Sequence, residues 1–153
     1  MTAGAYESGH TSMPRPRIVV ESPFKAPTFE GRAKNLRMAL NICRYAVYHG
    51  FNPYASHVFF TQFLKDEIVD ERLAGITCGL DWSRFAEQVW MVLREGEELS
   101  SGMMMALQFH MENRRIIRYF RTADNGQSLY EVFSFGEGTV ADNEAQKAAP
   151  EAS

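Results

Sequence analysis

Apolar residues in this chain follow two spacings. Ile18-Val19-Val20 and Val89-Trp90-Met91-Val92-Leu93 run without interruption, the pattern of strands buried on both faces. Arg115 to Phe120 and Ser128 to Phe135 predict two further strands, with Asp124-Asn125-Gly126 as the turn between them. Phe51-Asn52-Pro53-Tyr54 is a shorter candidate strand, weakened by its proline. Between these runs the spacing changes to three and four. Leu36, Ala39, Leu40, Cys43, Ala46 and Val47 mark an amphipathic helix over 32–49, ended by Gly50. Val58 to Leu64 predicts a short helix, and Ser101 to Asn113 a longer one. Glu71 to Phe85 predicts another, with Leu73, Ile76, Leu80 and Trp82 inward. Gly75 and Gly79 cost that helix about 1 kcal/mol each relative to Ala. Their spacing of four suits close packing or close ligand approach.

Strands alternating with helices imply an α/β protein, a doubly wound parallel sheet of about five strands flanked by helices. The chain of 153 residues suits one domain. Residues 1–16, rich in Gly, Ser, Thr and Pro, read as a disordered leader, and 136–153 as a disordered tail. The folded part is then 17–135. A net charge of −3 argues against generic nucleic-acid binding, though not against a local basic pocket. Cys43 and Cys78 sit in apolar helical patterns and read as buried thiols. With no CxxC and no Cys/His cluster, neither a metal site nor a disulfide framework is expected. No apolar run approaches membrane-spanning length, and a cytoplasmic location is expected.

Candidate chemistry follows from the sheet. In open α/β sheets ligands bind beyond the carboxyl ends of the strands. That rule gathers Ser22-Pro23-Phe24, Tyr54-Ala55-Ser56-His57 and Ser100-Ser101-Gly102. The last opens a helix, whose free N–H groups suit a phosphate or carboxylate, and Gly102 admits a ligand close to the backbone. Phe24 and Tyr54 offer stacking surfaces, His57 a general base, and Met103 a pocket wall. Each has a plain structural role as well: packing for the aromatics and Met103, a solvated loop position for His57. No GxGxxG or Walker motif is present, so no dinucleotide or NTP cofactor is expected.

Taken in order, several features form a pattern. They are Val20-Glu21-Ser22-Pro23-Phe24, Asn35, Ala55-Ser56-His57, Glu71-Arg72 with Gly75-Ile76, Trp82 with Ala86-Glu87, and Ser101-Gly102-Met103. The pattern resembles the nucleoside 2-deoxyribosyltransferase superfamily, nearest to a group of short proteins often encoded by phages and prophages. The resemblance covers roughly Ile18 to Phe120. It implies a flavodoxin-like fold, a nucleoside or nucleoside monophosphate as ligand, and homo-oligomers in which a neighbour completes the pocket. It also implies an acid four positions after the loop glycine and another three before the helix tryptophan. Here those positions hold Ala106 and Gly79. Cleavage of an N-glycosidic bond passes through an oxocarbenium-like state that a carboxylate stabilises. The replacement candidates are Glu21, Asp81 and His57, although Asp81, two residues on from Gly79, is rotated by about 200° on a helix. Three readings follow: nucleotide binding with catalysis lost or altered, an N-glycosidase or transferase with a relocated acid, and an interaction protein with a vestigial pocket.

Overall fold

The computed structural model describes residues 14–136. The elements run β1 (Arg17–Glu21), α1 (Phe29–Tyr48), β2 (Asn52–Tyr54), α2 (Ser56–Phe59), α3 (Val69–Ser83), β3 (Gln88–Arg94), α4 (Ser101–Glu112), β4 (Ile117–Thr122) and β5 (Tyr130–Val132). A single 3₁₀ turn, Phe60–Gln62, extends α2. The five strands form one sheet in the order β2-β1-β3-β4-β5. Apart from residues 14–16 and Gly136, the leader and tail expected from composition lie outside the described residues.

The sheet is mixed rather than wholly parallel. The first four strands are parallel, and β5 pairs antiparallel with β4. Parallel pairing needs a crossover of a dozen or more residues, whereas only residues 123–129 link β4 to β5. Asp124 holds this link, accepting from the Ser128 hydroxyl at 2.6 Å and the Thr122 hydroxyl at 3.0 Å. Gly126 has φ +90°, and a Cβ there would stand 2.7 Å from the Met38 carbonyl oxygen. Only glycine meets both demands.

Helices cover the sheet on two faces. Ile18, Val20, Trp90, Val92 and Phe120 meet Met38, Ile42 and Ala46 of α1. Val89, Met91 and Leu93 meet Met103 and Leu107 of α4. All five residues from Val89 to Leu93 are buried, as expected of a central strand loaded on both sides. Helix α1 starts at Phe29, three residues before the periodicity suggests. Thr28 caps it, accepting from the Gly31 N–H at 3.0 Å.

Helix α3 departs from its apolar pattern. Leu73 is 51 % exposed and Trp82 57 % exposed. The face that packs is instead the small-residue stripe, Gly75, Gly79 and Ser83. A Cβ at Gly79 would lie 2.6 Å from the Ser56 Cβ. Glycine lets α3 approach α2 closely, and while Ile76 and Leu80 stay half-buried, this rotates Leu73 and Trp82 outward. Cys78 follows them and is exposed, not buried as its helical pattern suggests, while Cys43 is half-buried. No described helix is long and apolar enough to cross a membrane.

Candidate functional site

Strand β1 ends on Glu21, which pairs in register with Met91 and therefore shares the face covered by α4. Its carboxylate is 16 % exposed and accepts from His110 Nε2 at 3.1 Å. His110 is fully buried, and its Nδ1 has no hydrogen-bond partner. It lies three and seven residues beyond Leu107 and Met103, on the apolar stripe that α4 turns to the sheet.

One residue on, Ser22 is buried, and its Oγ lies 3.0 Å from Nε2 of His57. Either group can be the donor, according to the imidazole tautomer. The edge of Phe24 meets the His57 ring at a centroid distance of 5.8 Å. Burial pulls the His57 pKa below its ordinary 6.5, and the nearby Glu21 charge opposes that shift. His57 is thus held neutral near pH 7, the form that accepts a proton.

The loop after β1 is fixed from behind. Buried Asn35 donates to the Phe24 carbonyl at 3.0 Å and accepts from Arg94 Nη2 at 2.9 Å. Arg94, at the end of β3, also donates to Asn125 Oδ1 and pairs with Glu97 at 3.0 Å. Its guanidinium therefore ties β3, α1 and the β4–β5 link together, and most of its donors are spent on that framework.

Two of the three expected loops are thus joined directly. Ser22 and Phe24 meet His57, and Ser56 packs against Gly79. The α4 segment is tied to them through His110 rather than through its first residues. Ser101 and Gly102 are exposed, and a Cβ on Gly102 would meet nothing within 4 Å. Ser100 caps the helix, accepting from the Met103 N–H at 3.2 Å. The Met103 side chain packs in the core beside Leu99 and Leu107, and its N–H is spent on the cap. Ala106 is half-buried and lies between Gly102 and His110 on one line of the helix.

Tyr54 faces α3, its ring tilted on Trp82 at 5.9 Å. Its buried hydroxyl has no partner, and burial raises its pKa. Asp81 stays away from the cluster. It is exposed near the end of α3, 3.8 Å from Arg84. His110 is the residue the pattern did not flag. The available signal was a histidine on an otherwise apolar helix stripe, a position that needs a polar partner once buried. Among the described residues, no group of three His, Cys, Asp or Glu side chains is arranged to hold a metal ion.

The cluster therefore offers a fixed carboxylate, a neutral imidazole on a hydroxyl and an aromatic ring. A family model described as a domain of unknown function, DUF7768, matches residues 16–120. No curated protein matches the chain. The chain belongs to the DUF7768 family.

Proposed function

We propose that this DUF7768 domain binds a nucleoside or nucleotide at the carboxyl ends of β1 and β3, on a deoxyribosyltransferase-like scaffold whose usual acid is replaced by Ala106. The observation that carries this reading is the convergence of Glu21, Ser22, Phe24, His57 and His110 at the end of β1. The strand order β2-β1-β3-β4-β5, with β1 to β4 parallel, supports a flavodoxin-like reading of the sheet although β5 is antiparallel. It changes direction between β1 and β3, where such sheets take ligands. In this reading the exposed N-terminus of α4 receives a phosphate or sugar oxygen. Phe24 lies against the base or sugar.

A second reading is favoured by the placement of Glu21. Its carboxylate stands one position from the Ser22–His57 pair, so an acid missing at Ala106 is replaced from β1. In that case Glu21 stabilises the developing positive charge at the anomeric carbon, and neutral His57 takes a proton from the attacking water or hydroxyl. The exposed apolar side chains Phe59, Phe63, Val69, Leu73, Trp82 and Phe85 support packing between copies of the chain.

Incubation with deoxynucleosides and their monophosphates, read by chromatography for free base, separates these readings. Binding without base release supports the first. Base release that Glu21→Gln or His57→Ala abolishes supports the second. Neither binding nor release with any nucleoside or nucleotide contradicts both.

A further inference from the structure

The outer face of α1 and the β4–β5 link enclose a groove of about 570 Å³, away from the strand ends. Arg37, Arg44, Tyr45, Tyr48, His49 and Gln127 line it, and among the described residues no carboxylate does. Asn41 donates to the Asn125 carbonyl at 3.0 Å and ties the link to the helix there. Helix α1 carries Arg32, Lys34, Arg37 and Arg44 against the single acid Glu30. This local balance is the reverse of the net charge of −3 over the whole chain. Every one of those six lining side chains bears an N–H or O–H donor.

The aromatic groups are arranged as flat surfaces. The guanidinium of Arg44 lies 5.1 Å from the Tyr48 ring centroid. The rings of Tyr45 and His49 stack at 3.8 Å with 20° between their planes. His49 Nδ1 donates to the Tyr45 carbonyl at 2.8 Å, which fixes the imidazole plane. Both Tyr48 and His49 are exposed. From Arg37 to His49 the helix extends about 18 Å.

We propose that this groove binds single-stranded nucleic acid, with Arg37 and Arg44 on the phosphates and bases stacked against His49 and Tyr48. The cations alone suit any polyanion. The adjoining ring planes select a nucleic acid over an acidic peptide, because every base has a face to stack while a carboxylate has none. The acidic remainder of the chain confines the contact to this one track. The groove shares none of the residues of the strand-end site, so the two readings stand or fall separately.

Fluorescence anisotropy of a labelled oligothymidylate with the full chain tests this. Two phosphate contacts give a salt slope of about −1.4, hence about sevenfold weaker binding from about 50 to 200 mM salt. Arg37→Glu with Arg44→Glu is expected to weaken binding by about tenfold or more and to flatten that slope. His49→Ala is expected to weaken binding with the slope unchanged, because it removes stacking and no fixed charge. If the charge-reversed protein melts below wild type, Arg37→Gln with Arg44→Gln is read in its place. Absence of binding at the low salt, binding that neither arginine pair alters, or equal binding of a labelled oligoglutamate peptide overturns the proposal.

Discussion

Gly79→Ala probes the contact that seats α2, and with it His57. A Cβ at this position would stand 2.6 Å from the Ser56 Cβ and 2.7 Å from its Oγ. These atoms belong to a short side chain next to the backbone, so the helices themselves must shift. Overpacking of this kind costs about 1–3 kcal/mol. Ala also raises helix propensity over Gly by about 1 kcal/mol. With the clash near the middle of its range, about 2 kcal/mol, the variant is expected to lose about 1 kcal/mol. In a Ser56→Gly background both clashing atoms are gone, and the same change should stabilise by about 1 kcal/mol. The sign therefore reverses, and the double-mutant cycle yields a coupling of about 2 kcal/mol. Urea unfolding of the four proteins measures it. Equal effects of Gly79→Ala in the two backgrounds would refute the packing argument.

Four further outcomes follow. The carboxyl of Glu87 is held at about 2 instead of 4.5 by hydrogen bonds and charge from Arg17, so its contribution is present above pH 4.5 and fades as pH falls toward 2; urea midpoints of wild type and Glu87→Gln should converge across that window. His57 has its pKa lowered from 6.5 by burial, so the unfolded chain takes up the proton first and stability falls with acidification below pH 6.5; a His57→Gln variant should lack that part of the pH dependence. Cys43 is half-buried with its thiol pushed up to about 11, whereas Cys78 is exposed; mass spectrometry of the folded protein after brief iodoacetamide treatment should find Cys78 labelled first. Gly102→Val should melt as wild type does, since a Cβ there meets nothing within 4 Å, while losing the stabilisation that a nucleotide gives in thermal shift.

The parts of the fold legible in the sequence were those that one residue run decides. Val89 to Leu93 announces a central strand because no polar residue interrupts it. The α1 periodicity announces a helix because its apolar positions keep one face. The direction of β5 depends on the length of the link from β4, and so on where both strands end, which the mixed pattern of Ser128 to Phe135 leaves open. In α3 apolar weight points to Leu73 and Trp82, whereas shape complementarity favours Gly75 and Gly79, whose spacing of four is the only sign of it in the sequence. Glu21, Ser22, Phe24 and His57 could be gathered by the rule that ligands sit at strand ends. His110 could not, because its meeting with Glu21 joins residues 89 positions apart across the sheet. The α1 groove was equally hidden, since its cations are diluted in a chain of negative net charge.

The central claim is that the ends of β1 and β3 form the ligand site. A titration of isotopically labelled protein with deoxynucleosides and their monophosphates, followed through backbone amide resonances, tests it directly. The account predicts saturable shifts at Glu21 to Phe24, at Ala55 to His57 and at Ser101 to Met103. Saturable shifts confined to other parts of the sheet or to α1, or none with any of these compounds, would contradict it.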